Sequence, residues 1–188
     1  MLQPSYSACS KVIAALGHGN RPHLVATYHA ATTTAQEKAC AVEEAMGLGR
    51  LPRGEYGIVK SLVLTHPGAE RPFLCAYDSS DKLDFRVIGG ALHAPSRVYA
   101  YPRERLEQLV GVSAGAVSPL VDPSGLSGVY FDTSLLEAAD QRRDKMWDFP
   151  LSLCSSLLAN PRDVYGALRA LDSRKYAELP MRPWDWGA

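Results

Sequence analysis

A lysine stands in the middle of the most strand-like run of the chain, Gly57-Ile58-Val59-Lys60-Ser61-Leu62-Val63-Leu64. Alternation with period two places Ile58, Lys60, Leu62 and Leu64 on one face, and Val59 and Val63 on the other. Both faces are apolar, the pattern of a strand covered on both sides. An ammonium in that setting must reach water, meet an anionic partner or face a cleft that holds one. The competing explanation is an edge strand, where a lysine discourages pairing with another chain. A second stretch, Gly111-Val112-Ser113-Ala114-Gly115-Ala116-Val117-Ser118-Pro119-Leu120, is built mainly of small residues. Such a segment lets main-chain N–H groups approach a ligand closely, although by itself it also suits an ordinary connection.

Other reactive side chains are scattered. Cys9, Cys40, Cys75 and Cys154 form no CxxC pair, which argues against a metal or redox motif and for reduced thiols. Cys75 and Cys154 read as core residues. His23 and His29 lie six apart on one predicted strand face, but no further metal ligand is in register. No Ser-His-Asp or Cys-His pairing stands out. No phosphate loop is present, and no GxGxxG follows a strand.

Local signals place these groups. Residues 5–16 read as a helix stopped by Gly17, and His23–His29 as a strand. Thr34-Ala35-Gln36-Glu37 has the form of a capping box opening a helix through Met46, with Gly47 closing it. A loop over 48–55 leads into the lysine strand. Thr65-His66-Pro67-Gly68 ends that strand, and 72–77 forms a hairpin with it. A weak helix is expected over 82–92, and a short strand over 97–100. Pro102 then opens a helix closed by Gly111. Residues 128–132 read as a strand, with Thr133 capping the helix after it. Met146–Leu151 is a strand that Pro150 restricts or ends. Asn160-Pro161-Arg162-Asp163 is a helix start. The tail from Leu179 carries Trp184 and Trp186 and reads as a surface strap or a linker.

The 188 residues, 46% of them hydrophobic, suffice for one well-buried domain. Twenty basic and twenty acidic side chains leave no bulk charge for coating nucleic acid, though a local basic groove for an RNA end remains open. No apolar run approaches the length needed to cross a bilayer, and no secretory leader is evident, so a cytoplasmic protein is expected. These residues lead to a single α+β domain with a mixed, largely antiparallel sheet.

The order of the signposts is more specific. A threonine-capped helix ending at Met46-Gly47 precedes Val59-Lys60-Ser61-Leu62. A Leu83-Asp84 helix follows, and then Gly115-Ala116-Val117-Ser118-Pro119-Leu120. Over about residues 5 to 172 this resembles the YbaK/prolyl-tRNA synthetase-associated editing domains, a family of aminoacyl-tRNA deacylases. The resemblance implies a mixed sheet bent toward a barrel and flanked by helices. It implies an editing domain over residues 1–178, with 179–188 as tail or linker, and hydrolysis of the ester of a mischarged tRNA, with Ala-tRNA(Pro) the first expectation. The partners implied are the tRNA acceptor end and a prolyl-tRNA synthetase or synthetase complex, with no cofactor and no metal. Lys60 matches the family's central lysine, and Gly115 to Pro119 match its G-x-x-x-P loop. Lys60 and Gly115 are the expected catalytic positions. Thr33 or Thr34, Ser61, Ala116, Val117, Ser118, Pro119 and Asp148 are expected to bind substrate.

An aminoacyl ester is already activated, so positioning and stabilisation of charge on the carbonyl oxygen are what help its hydrolysis. Main-chain N–H groups of Gly115 to Ser118 would supply the latter. Lys60 would hold the terminal phosphate or ribose, or stabilise the oxyanion. Two positions depart from the family. Val121-Asp122-Pro123 follows Ser-Pro-Leu where relatives often carry glycine. Phe149-Pro150-Leu151 stands where the alanine-specific branch tends to carry His-Pro-Leu, with Asp148 as a substitute polar group. These departures support a second expectation, a non-catalytic module of the same fold that docks tRNA or a synthetase.

Overall fold

The structure, a computed structural model, describes residues 7–28, 30–32, 34–45 and 56–182. Expectations at Thr33, His29, Met46-Gly47, the 48–55 loop, Trp184 and Trp186 lie outside these residues. Eight strands form one mixed sheet: β1 (His23–Thr27), β2 (Tyr56–Thr65), β3 (Phe73–Asp78), β4 (Tyr99–Ala100), β5 (Val129–Asp132), β6 (Met146–Ser152), β7 (Ser155–Ala159) and β8 (Tyr176–Leu179). Their order is β1-β7-β6-β2-β3-β5-β8, with β4 added beside β2. The lysine strand β2 is therefore central, and the edge-strand explanation falls.

The two faces of β2 divide the packing as alternation requires. Val59 and Val63 join the main core with Leu74, Trp147 and Phe149. Against that face lie α1 (Ser7–His18), α5 (Thr133–Gln141) and α6 (Pro161–Leu171), through Val12, Leu136 and Val164 among others. On the opposite face Leu64 packs with Ile88 of α3 (Phe85–Ala91) and with Val98. Further along that face, Val42 of α2 (Ala35–Ala45) packs with Leu158 and Tyr28.

Cap chemistry fixes the helix starts. Thr34 N–H donates to Glu37 Oε2 at 3.2 Å, and Glu37 N–H donates to Thr34 Oγ1 at 3.1 Å, so the expected capping box forms. Asn160 Oδ1 accepts the Arg162 N–H at 2.9 Å, with Pro161 opening α6 as expected. Gly111, at φ 72°, closes α4 (Leu106–Val110).

Several boundaries differ from the sequence reading. The first helix runs through Gly17 and ends at His18, with Asn20 taking the left-handed conformation at φ 49°. The helix expected over 82–92 is shortened because Asp84 Oδ1 accepts the Arg86 N–H at 2.8 Å and so starts it at Phe85. Thr133 is the first residue of α5, and Asp132 occupies the cap position. Strands β7 and β8 carry no signal in the reading above. Leu179 and Met181 are buried, so packing continues into the first residues of the expected tail.

Pro150 does not end β6, which continues to Ser152. It has a different consequence. β2 and β6 pair in parallel only at Tyr56↔Met146, Gly57↔Trp147 and Ile58↔Asp148. In that register Lys60 would meet Pro150, which has no N–H to offer. Pro150 keeps its place opposite Ser156 of β7. Leu64 is bridged at once to Phe73 of β3 and Ala100 of β4, so β4 shares the edge of β2 that β6 occupies lower down. Between Ile58 and Val63, whose carbonyl accepts the Tyr101 N–H at 2.8 Å, that edge has no strand partner, and the 3₁₀ turn Ala114–Ala116 packs against β6 beside the opening.

Gly57 sits at the base of this opening, with the Trp147 indole lying against it so closely that a Cβ would overlap the ring. The indole Nε1–H donates to Asp78 Oδ2 at 2.7 Å and ties β6 to the end of β3. The variant Gly57→Ala must displace that ring and is expected to lose about 1–3 kcal/mol of stability, measured by urea unfolding.

Candidate active site in the gap beside β2

The unpaired stretch of β2 forms one wall of a cleft of about 150 Å³. Ile58 to Ser61 come from β2, Thr34 and Lys38 from α2, Ala114, Gly115 and Val117 from the small-residue segment, and Pro150 from β6. Of the residues expected from sequence, Lys60, Ser61, Thr34, Gly115 and Val117 are brought together here. Lys60 is exposed. Ser61 Oγ is buried with no hydrogen-bond partner among the described residues, which leaves its capacity open in the wall of the cleft.

The 3₁₀ turn sorts the rest of its segment. Ala116 N–H donates to Ser113 O at 2.8 Å, so it is committed within the turn. Ala116 and Ser118 are buried behind the wall, and Ser118 Oγ accepts the Leu120 N–H at 3.3 Å. Pro119 is buried with them. The first N–H groups of a helical turn have no acceptor within it. This shifts the donors available to a ligand toward Ala114 and Gly115, which are both wall residues.

Lys38 was not singled out by the sequence reading. It is only 4% exposed and lies one helical turn from Thr34, on the same face of α2. Its Nζ donates to Ser152 O at 3.3 Å and stands 6.0 Å from the centre of the Tyr28 ring. The signal for it was present in the spacing 34, 38, 42. A lysine midway between a capping threonine and a buried valine is on the wrong face unless something receives it.

The Ser152 carbonyl receives it, and its charge also reaches Asp148. This carboxylate is fully buried beneath the cleft rather than in its wall, and neither oxygen has a partner at hydrogen-bond geometry among the described residues. Burial pushes it from 3.8 up to about 6, opposed by the nearby Ser156 hydroxyl and the Lys38 charge. The Ser156 hydroxyl is itself hydrogen-bonded to Tyr28 Oη at 3.1 Å. Burial also pushes Tyr56 upward, helped by the charges of Glu43 and Asp148. Two of the thiols are made poorer nucleophiles by burial, which raises Cys9 to about 11 and raises Cys75 further. Among the described residues no group of three or more His, Cys, Asp and Glu side chains is arranged to hold a metal ion.

With this geometry in hand, the comparisons become specific. The profile of the aminoacyl-tRNA editing domain matches residues 35–141, a span holding β2, Lys60 and the 3₁₀ turn. The chain belongs to that family. No curated protein matches it. Among solved structures, the editing domain has the fold of one described as a candidate trans-editing enzyme for prolyl tRNA synthetase. That pair shares 22% identity and a TM-score of 0.59 over 97% of this chain and 100% of the other. A hypothetical protein, APE2540, gives 17% identity and a TM-score of 0.61 over 90% and 98% of the two chains. A scaffold used for computational epitope grafting gives 19% and 0.57 over 97% and 99%. The α+β fold with its mixed sheet is thereby established. No helix among the described residues of this editing domain is long and apolar enough to cross a membrane.

The buried carboxylate has a measurable signature. Below about pH 4 it is protonated in both folded and unfolded chains. Between about 4 and 6 the folded chain holds the proton and the unfolded chain does not, so stability falls as pH rises through that window. Asp148→Asn removes this contribution. Its urea midpoint, taken relative to the wild type, should climb from about pH 4 to pH 6 and then level off.

Proposed function

We propose that the protein hydrolyses the ester between a wrongly attached amino acid and the 3′ adenosine of a tRNA. Ala-tRNA(Pro) is the first substrate, and the domain works either in trans or as part of a prolyl-tRNA synthetase. The observation that carries this reading is the exposed Lys60 set in the unpaired stretch of β2, across a small cleft from Gly115. The cleft holds about 150 Å³, below the roughly 300–1,000 Å³ of sites that enclose a whole small molecule. Such a space fits a small aminoacyl group, with the nucleotide lying outside it.

In this reading the ester carbonyl faces the N–H groups at the start of the 3₁₀ turn, and the Lys60 ammonium stabilises the oxyanion or holds the terminal phosphate or ribose. The Ser61 hydroxyl is free to orient the attacking water or a substrate hydroxyl. Lys38, held by its carbonyl bond and the Asp148 charge, adds positive potential from the α2 side. No covalent intermediate is required, because water attacks an acyl group that is already activated. Localisation with the translation machinery in the cytoplasm follows from the substrate.

Purified protein should release alanine from Ala-tRNA(Pro). Lys60→Ala should lower kcat/KM by about 100-fold or more while its thermal unfolding stays close to wild type. Absence of turnover across alanyl, cysteinyl, seryl and prolyl tRNAs would instead indicate a docking module. Val117→Ala widens the cleft, and the ratio of kcat/KM for a larger aminoacyl ester to that for alanyl should rise by about tenfold.

A further inference from the structure

Besides the cleft at Lys60, the structure has a larger cavity, of about 910 Å³, between α3 and the segment leading into β4. Its wall includes Arg86, Gly90, His93, Ser96 and Arg97. It contains none of the residues expected from sequence to act in the site, yet its position is fixed relative to Lys60 by β2. Lys60, Leu62 and Leu64 point to the same face of that strand. Leu62 and Leu64 lie beneath Ile88 of α3 and Val98, and Val98 also lines the cavity. β4 follows directly from the cavity wall and pairs with β2 at Leu64 and Thr65, on the edge that is open at Lys60. The cavity thus sits above the Leu64 end of the strand, on the face and edge that Lys60 shares, and Leu64 is about 13 Å along the strand from Lys60 at ~3.3 Å per residue.

The charges of this wall are available. Arg86 and Arg97 are exposed and have no carboxylate partner among the described residues. Arg162 and Arg182, by contrast, are tied to Glu178 at 2.7 Å and to Asp81 at 2.6 Å. The one carboxylate in the wall, Asp84, spends Oδ1 on the N–H groups of Arg86 and Val87. Gly90 borders open space, since a Cβ there would meet nothing within 4 Å. In a chain of zero net charge, unpaired guanidinium groups beside a cavity mark where an anionic polymer would be held.

We propose that this cavity seats the single-stranded RNA just upstream of the aminoacylated nucleotide, with Arg86 and Arg97 on its phosphates. The assignment rests on the reading of the Lys60 cleft as the place of the ester, because the strand's direction is set by where its end must lie. The arginines position the RNA and take no part in the reaction.

The test uses the full chain and a fluorescent single-stranded heptanucleotide ending in CCA, with anisotropy read over a range of salt. Wild type should bind with log affinity falling linearly in log salt. Arg86→Gln with Arg97→Gln should weaken binding about tenfold or more. It should reduce the slope by about 1.4, since each single-strand phosphate contact contributes about 0.7. The double lysine version, Arg86→Lys with Arg97→Lys, should restore most of the affinity, and Arg174→Gln should change nothing. Thermal unfolding of each variant excludes a folding defect. Wild-type affinity and slope in the glutamine variant would overturn the assignment. So would failure of lysine to rescue, or absence of salt-dependent binding by the wild type. The probe carries no ester, so a protein that binds it as expected but deacylates nothing would sink the proposed activity and leave this RNA seat in place.

Discussion

A strand in the interior of a sheet ordinarily has hydrogen-bonding neighbours along both edges. β2 lacks one between Ile58 and Val63, and much of the site follows from that omission. Pro150 supplies the cause, for it stands where the next donor would be needed and has none. A polar main chain left open inside a protein is costly unless something else approaches it. Here the small-residue turn comes up beside it, and a cleft forms where a ladder would otherwise have closed. Lys60 reaches solvent there although its strand is central and its sequence neighbours are apolar.

The second organising feature lies under the cleft. Lys38 and Asp148 are opposite charges removed from water, and such pairs seldom stabilise a fold on balance. Their geometry is far from ideal, since the carboxylate has no hydrogen bond and the ammonium relies on one carbonyl and a distant ring. A fold that keeps this arrangement gains little stability from it. What it gains is a fixed positive charge on the α2 wall, facing the same small space as Lys60.

How much of this could be read from residue types depended on whether the cause was local. The Thr34 capping box, the Asn160-Pro161 start and the Gly111 stop involve groups a few residues apart, and each was legible. The lysine strand was legible because alternation is a local pattern, and its two apolar faces pointed to its central place in the sheet. Strands β7 and β8 escaped because Ser155-Ser156-Leu157-Leu158-Ala159 and Tyr176-Ala177-Glu178-Leu179 are short, and their pairing partners are distant in sequence. In the site, Lys60 and Gly115 were visible as oddities of composition. Lys38 was not picked out, and Pro150 was noted only for its effect on its own strand, because a lysine on a helix and a proline in a strand become part of a site only when the sheet brings them together. The inward turn of Ala116, Ser118 and Pro119 follows from the 3₁₀ geometry, which small residues permit but do not announce.

The brevity of the β2–β6 ladder has a mechanical meaning as well. On one side of it lie β1, β7 and β6 with α2; on the other lie β2, β3, β4, β5 and β8 with α3. Three bridged residue pairs, the Trp147–Asp78 hydrogen bond and the core beneath them join the two sides of the sheet. A seam that narrow is where local opening of the sheet meets the least main-chain resistance, and regions joined by few hydrogen bonds can exchange as separate cooperative units. The amides of residues 56–58 belong to that seam. Protection of those amides from solvent deuterium would report how readily the seam beside the cleft opens.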